Sequence, residues 1–327
     1  MIHSVSHFVE EINRKLASHA FGQQPEELYE PIRYILSLGG KRLRPLLTLL
    51  AYRLFEEEEK FTEIIEPALA VEVFHNFSLM HDDIMDEAPL RRGKATVHKK
   101  WNANIAILSG DVMLVRAYDL LLGVPVDKLP AVMRAFNQCA AQVCEGQQWD
   151  MNYESREQVS EEEYLEMIRL KTAVLLGFSL KMGGMLAGAS EDDCQRLYDF
   201  GVNIGISFQL KDDLLDVYAD QEKFGKQVGG DIIANKKTFL LIKALEKANP
   251  KQRAELEDWL KRVTFEKEDK VEAVKKIYNA LDIPGLTRQK MDSYFETGME
   301  HLQQISVEES KRKVLHDFAE WLMAREK

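Results

Sequence analysis

The sequence has little of what interrupts helices. Its 327 residues contain 18 glycines and 9 prolines, both below the average usage of about 7% and 5%. No Asn-Gly pair occurs, and no stretch alternates apolar and polar residues at period two, so a turn-rich β protein is excluded. Only three cysteines are present, Cys139, Cys144 and Cys194, and none forms a C-x-x-C pair. That excludes a disulfide framework and leaves reduced core thiols as the expectation. A basic excess is also missing: 43 Lys and Arg face 54 Asp and Glu, for a net charge of −11. No nucleic-acid partner is expected from such a balance. No apolar run reaches 18 residues, so no transmembrane segment is predicted. The first twenty residues mix charged and apolar side chains and lack the continuous apolar stretch of a signal peptide. The expectation is a soluble, cytoplasmic protein whose substrate can still be apolar.

What is present is helical periodicity. Apolar residues recur three and four apart at Ile32, Ile35 and Leu36, at Leu69, Val73, Phe77 and Met80, and at Leu197, Phe200, Ile204 and Phe208. Breakers at Pro25, Gly39-Gly40, Pro89, 125–130, 188–191, 220–230, Pro250 and Pro284 divide the chain into ten or more helices. No linker or abrupt change of composition intervenes. The prediction is one all-α domain over residues 1–327. The charge-dense stretch 251–276 reads as a solvated helical face.

Two segments echo each other. His81-Asp82-Asp83-Ile84-Met85-Asp86 and Lys211-Asp212-Asp213-Leu214-Leu215-Asp216 both carry D-D-x-x-D after an apolar helical stretch. Residues four apart share a helix face, where like charges repel. Asp82 with Asp86, and Asp212 with Asp216, therefore call for a counter-charge. A hard divalent cation supplies it, and Mg²⁺ is typically held by one or two carboxylates plus substrate phosphates. If the two helices face each other, the carboxylates form a two-sided metal cage for a diphosphate. A calcium loop is excluded, since neither motif has its central Gly and distal Glu.

Cations accompany the acids. Gly39-Gly40-Lys41-Arg42-Leu43-Arg44-Pro45 places three beside a flexible turn, and Arg91-Arg92-Gly93-Lys94 follows the first acidic motif. Arg offers a planar fork to phosphate and Lys a point charge. His75 lies seven residues before Asp82 and eleven before Asp86, within a narrow stripe at about 100° per residue, where it can donate a hydrogen bond to phosphate. Gln209 joins the stripe of Asp212 and Asp213. Lys171-Thr172, Lys226 and Lys236 are further candidates that spacing alone does not single out.

Together these residues resemble the trans-isoprenyl diphosphate synthase, or polyprenyl synthetase, family. The likeness rests on GGKRLRP at 39–45, HDDIMDEAPLRRG at 81–93, EGQQWD at 145–150, LKT at 170–172, FQLKDDLLD at 208–216 and FGK at 224–226. It implies a single-domain antiparallel helix bundle around a deep central cavity, usually a homodimer. It implies Mg²⁺-dependent condensation of isopentenyl diphosphate with an allylic diphosphate, with three Mg²⁺ ions alongside the bound diphosphate. By motif, Asp82, Asp86 and Asp212 would bind metal, with Asp83, Asp213 and Asp216 supporting them. Lys41, Arg44, His75 and Arg92 would hold isopentenyl diphosphate. Arg91, Lys171, Gln209, Lys226 and Lys236 would hold the allylic diphosphate, and Thr172 and Gln209 would face the developing carbocation. The released diphosphate is the implied final base. A class I terpene cyclase, the alternative, would not need the two basic clusters and usually replaces the second acidic motif. A non-catalytic partner subunit would typically have lost motif residues.

In this family a bulky residue below the first acidic motif stops elongation. Phe77 lies about 7.5 Å and Phe74 about 12 Å up the helix from Asp82, with Ser78 four residues before it. The resemblance then implies a product of fifteen or twenty carbons. The first motif lacks the two-residue insertion common in bacterial farnesyl diphosphate synthases, which favours geranylgeranyl diphosphate over the farnesyl product and over a longer polyprenyl chain. The helix wheel places Ser78 within about 40° of Asp82, Phe74 within about 80° and Phe77 about 140° away. By that measure alone Phe74 is the stop.

Overall fold

The helical periodicity becomes sixteen α-helices among the described residues, 2–56, 61–219 and 229–324, of a computed structural model. In chain order they are α1 (Ile2–Ser18), α2 (Glu26–Ser37), α3 (Leu43–Arg53), α4 (Phe61–Met85), α5 (Val97–Lys100), α6 (Ala103–Leu121), α7 (Leu129–Glu154), α8 (Glu161–Ile168), α9 (Val174–Ala187) and α10 (Glu191–Tyr218). Then follow α11 (Gly230–Ile233), α12 (Phe239–Lys247), α13 (Pro250–Lys261), α14 (Lys267–Ala280), α15 (Ile283–Gln303) and α16 (Glu309–Ala324). The contacts group the chain into two compact units. The first comprises Met1–Gln138, Phe178–Tyr198 and Ile305–Leu315; the second comprises Cys139–Gly177, Asp199–Gln304 and His316–Lys327.

In the first unit α4 is the central helix. Ala68, Leu69, Ala70, Val71, Val73 and Phe74 are all buried, so the middle of the helix is enclosed on every side, as in a core helix. Small residues allow its neighbours to approach. A Cβ at Gly110 of α6 would lie 2.3 Å from His81 Nε2, and one at Gly183 of α9 would lie 2.3 Å from the Thr48 carbonyl oxygen of α3. Phe136 joins the core of α4, its ring 5.3 Å from Phe74, 5.1 Å from Tyr118 and 5.7 Å from Phe178.

In the second unit a capping box at Ser160 and Glu163 starts α8. The helix continues through a π-helical turn, Arg169–Ala173, into α9. Two glycines admit the wider turn. A Cβ at Gly146 of α7 would fall 2.2 Å from the Lys171 backbone nitrogen, and one at Gly205 of α10 would fall 2.8 Å from Ala173 Cα. The continuous helix Glu161–Ala187, with mean hydropathy 1.3, is long and apolar enough to cross a membrane by length and composition. Its apolar window is 72% buried inside the protein, which is the pattern of a core helix.

Three expectations need correction. A minimal antiparallel ribbon, β1 (Leu90–Arg91) with β2 (Lys94–Ala95), interrupts the helices. Arg92 and Gly93 form its turn at φ +52° and +75°, the left-handed geometry of a tight hairpin, here without the Asn-Gly signal. Cys139 and Cys194 are buried, but Cys144 is exposed and is no core thiol. Within the charged stretch Lys270 is fully buried: its Nζ donates to Asn235 Oδ1 at 2.6 Å and to the Ile233 carbonyl at 3.3 Å.

Candidate active site

The first unit carries the first acidic motif at the C-terminal end of α4. The Asp86 amide still donates to the Asp82 carbonyl at 2.9 Å, so the two carboxylates share the last turn as the spacing predicts. Glu87 then turns left-handed at φ +49°, which ends the helix. The three aspartates separate by environment. Asp83 is buried and accepts a bidentate fork from Arg91, Nε to Oδ2 at 2.8 Å and Nη2 to Oδ1 at 2.7 Å. Burial pushes its carboxyl above the ordinary carboxylate range while Arg91 pulls it back. Asp82 is half-buried, 3.6 Å from Arg91 Nη2, and Asp86 is exposed.

The two basic clusters meet in this unit. Arg92 Nη1 donates to the Gly39 carbonyl, and a Cβ at Gly40 would lie 2.9 Å from the Arg92 guanidinium. Lys41 is exposed and Arg44 half-buried. Their neighbour Arg42 is buried and bonded to protein on every nitrogen. His75 sits half-buried on α4. Burial first, then Arg44, Arg92, Arg91 and Arg42, holds its imidazole well below the usual histidine range. A neutral imidazole in the field of four guanidinium groups is a place for an anion, and it retains one N–H to donate.

The chain-length candidates also lie here. Phe74 is enclosed in the aromatic core. Phe77 is half-buried, 5.6 Å from the Phe74 ring and 4.7 Å from His81. Ser78 Oγ donates to the His75 carbonyl at 2.8 Å. His81 leans onto α6, its Nε2 3.2 Å from the Ile107 carbonyl.

The second unit carries the other acidic motif within α10. Its middle aspartate is again buried, but its partners are neutral. The Tyr164 hydroxyl donates to Asp213 Oδ2, and Gln209 Nε2 donates to Oδ1 at 3.1 Å. Burial and the nearby Asp231 push the Asp213 carboxyl well up, against those two donors. Asp212 and Asp216 are half-buried, and Asp216 Oδ2 accepts the Asp231 amide at 2.9 Å. Thr172 Oγ1 donates to Gln209 Oε1 at 3.3 Å, so one chain of hydrogen bonds runs from Thr172 through Gln209 to Asp213. Lys171 pairs with Asp150 at 2.6 Å. Both Lys171 and Thr172 lie in the π-helical turn, a feature frequent at functional sites. Lys236 is exposed, and its amide donates to the Asp231 carbonyl at 2.9 Å. Lys226 lies outside the described residues.

Sequence reasoning left some neighbours without a role. Lys211 points away from the motif: it is buried and donates to the Met323 carbonyl near the end of α16. Asp150 is the partner of Lys171, and the buried Gln147 Nε2 has no hydrogen-bond partner among the described residues. Tyr164 lies outside every motif of the sequence. Its only signal is a place seven residues, two helical turns, before Lys171.

This combination of acidic motifs, cation cluster and all-α architecture defines a class of diphosphate-binding helical enzymes. The comparisons place the chain within it. The polyprenyl synthetase family profile matches residues 25–281, and the chain belongs to that family. It is 37% identical over 319 residues to a geranylgeranyl pyrophosphate synthase of Geoglobus acetivorans, covering 96% of each chain. It is 32% identical over 330 residues to a geranylfarnesyl diphosphate synthase of Natronomonas pharaonis, covering 96% of this chain and 94% of that one. A crystal structure of a geranylgeranyl pyrophosphate synthase superposes with a TM-score of 0.92 at 43% identity, covering 100% of this chain and 99% of that one. The fold is that of the all-α prenyl synthases.

Proposed function

We propose that the protein is a trans-prenyltransferase that condenses isopentenyl diphosphate with an allylic diphosphate to a short-chain trans-prenyl diphosphate. Geranylgeranyl diphosphate is the proposed product, made by one catalytic domain spanning 1–327 in a cytoplasmic homodimer. One observation carries the reading. In each D-D-x-x-D motif the middle aspartate is buried and bonded to protein, while the outer carboxylates stay more accessible.

The outer donor set is all carboxylate oxygen, with no thiolate, which suits Mg²⁺. Asp82, Asp86 and Asp212 would hold it, in three ions by family analogy. Bound Mg²⁺ would stabilise negative charge growing on the departing diphosphate. The chain's own groups do the rest. Lys41, Arg44, His75 and Arg92 bind isopentenyl diphosphate. Lys171 exchanges Asp150 for the allylic diphosphate, joined by Lys226, Lys236 and the free edge of Arg91. Thr172 and Gln209 turn oxygen atoms toward the allylic cation, with the amide of Gln209 oriented by Asp213. The reaction requires that water be kept from the cation, which it would quench. The double bond of isopentenyl diphosphate then attacks, and a proton is lost to the released diphosphate. Phe77, backed by the rigid Phe74, is the proposed stop for the growing chain.

The test is incubation of the purified protein with isopentenyl diphosphate, Mg²⁺ and, separately, dimethylallyl, geranyl and farnesyl diphosphates. Products are resolved by mass spectrometry. Accumulation of one twenty-carbon product is expected. A ladder well beyond twenty carbons would keep the reaction and refute the Phe77 stop. No condensation with any primer by folded protein would refute the reaction.

A further inference from the structure

Arg42 stands inside the basic turn, yet the proposed reaction leaves it without a role. It is 4% exposed, between exposed Lys41 and half-buried Arg44. Its backbone is left-handed, φ +49°, a conformation that a residue with a Cβ adopts at a cost. The side chain shows what holds it there. Nη1 donates to Glu72 Oε1 at 2.6 Å, Nη2 to the Leu36 carbonyl at 2.6 Å and Nε to Asn13 Oδ1 at 3.0 Å. These partners lie on α4, the end of α2 and α1. Glu72 is itself 2% exposed, and Asn76 Nδ2 donates to its Oε1 at 3.2 Å.

A buried ion pair is a weak stabilising device, since an apolar pair of similar volume often does as well. What the guanidinium adds is direction, because its planar fork reaches three partners in fixed geometry. Glu72 lies three residues before His75 and shares its side of α4. The pair therefore ties the turn bearing Lys41 and Arg44 to the helix bearing His75. Arg92 holds the same turn from its other end, at Gly39.

We propose that Arg42 is a positioning residue for diphosphate capture: through Glu72 it sets where Lys41 and Arg44 stand relative to His75, and it touches no substrate itself. The proposal rests on the assignment of those three residues to isopentenyl diphosphate.

The test compares Arg42→Lys, which keeps the charge and loses the fork, with Asn13→Ala, which removes only the Nε contact at an exposed residue. Folding is checked by thermal melting. Steady-state kinetics give KM for each substrate separately, and calorimetry gives the affinity for inorganic diphosphate. In Arg42→Lys, KM for isopentenyl diphosphate should rise about tenfold, the scale of losing one hydrogen bond to a charged group. KM for the allylic substrate and kcat should change little. Asn13→Ala should shift the same KM by a smaller factor and remains informative if Arg42→Lys fails to fold. A purely structural role would instead lower activity in step with the folded fraction, with both KM values unchanged, and would overturn the proposal. Calorimetry separates the two claims. Weakened diphosphate binding in a protein that performs no condensation would refute the reaction and keep the positioning role. Unchanged binding and unchanged KM in both folded variants would refute the positioning role alone.

Discussion

Asp83 and Asp213 hold the same place in two like motifs, and both are buried, at 2% and 5% exposure. Their surroundings differ. Asp83 is met by a cation, the Arg91 fork. Asp213 is met by neutral donors, the Tyr164 hydroxyl and the Gln209 amide. The first arrangement compensates charge with charge. The second satisfies a carboxyl with dipoles and passes the constraint on to Thr172 through Gln209. A shared sequence pattern therefore fixes which aspartate turns inward, and local partners decide how each is tolerated.

The largest expected effect tests the division between inner and outer carboxylates. Asp82→Asn and Asp212→Asn should each reduce kcat on the order of 10²–10³-fold, the cost of losing one group that stabilises transition-state charge. Their melting temperatures should stay near that of the parent. Asp83→Asn should instead lower stability, because it breaks the fork with Arg91. Equal activity losses for Asp82→Asn and Asp83→Asn at parental stability would erase the distinction.

The next effect compares the two inner partners by urea unfolding. Arg91→Gln should cost about 3 kcal/mol, the low end for breaking a buried pair, because Arg91 itself is partly exposed. Tyr164→Phe should cost about 2 kcal/mol, the scale of leaving a buried acceptor without its partner. Salt sharpens the contrast. Raising ionic strength should shrink the Arg91 effect modestly, since only the Arg91 side of the pair is partly exposed, and leave the Tyr164 effect unchanged. Parallel salt responses would mean that both aspartates are held by the same kind of interaction.

What the sequence made legible here was mostly what repeats along a helix. Asp82 with Asp86, and Asp212 with Asp216, follow from four-residue spacing, and the helical class follows from apolar periodicity. Features set by partners distant in sequence were hidden. Arg42 looks like its neighbours Lys41 and Arg44, and only its burial beside Glu72 separates them. The π-helical turn under Lys171 depends on a hydrogen bond from the Val174 amide to the Arg169 carbonyl, a register that composition does not encode. Its trace is at Gly146 and Gly205, far away in the chain. The Arg92-Gly93 hairpin was hidden because Arg is an unusual residue at positive φ. Lys270 was read with a solvated charge run because nothing local marks Asn235 and Ile233 as its partners.

The smallest effect concerns the cations of the first unit. Burial and the charges of Arg44, Arg92, Arg91 and Arg42 depress the His75 imidazole, whereas burial and Asp231 weigh most on Asp213. The unfolded chain titrates this group near the ordinary value of about 6.5, so below that pH it binds the proton that the folded protein refuses. Stability contributed at neutral pH is therefore lost as pH falls from about 6.5 toward the lower folded value. His75→Gln should flatten the fall in unfolding free energy, read by urea titration, between about pH 7.5 and 5.5, by about 1.4 kcal/mol for each unit of depression removed within that window. A bound diphosphate offsets the four guanidinium charges and raises the imidazole, so binding takes up a proton. Affinity for inorganic diphosphate should then strengthen more steeply on acidification in the parent than in His75→Gln. Identical pH slopes for parent and variant would place the imidazole outside the field of those cations, and the first unit would lose its distinction from the second.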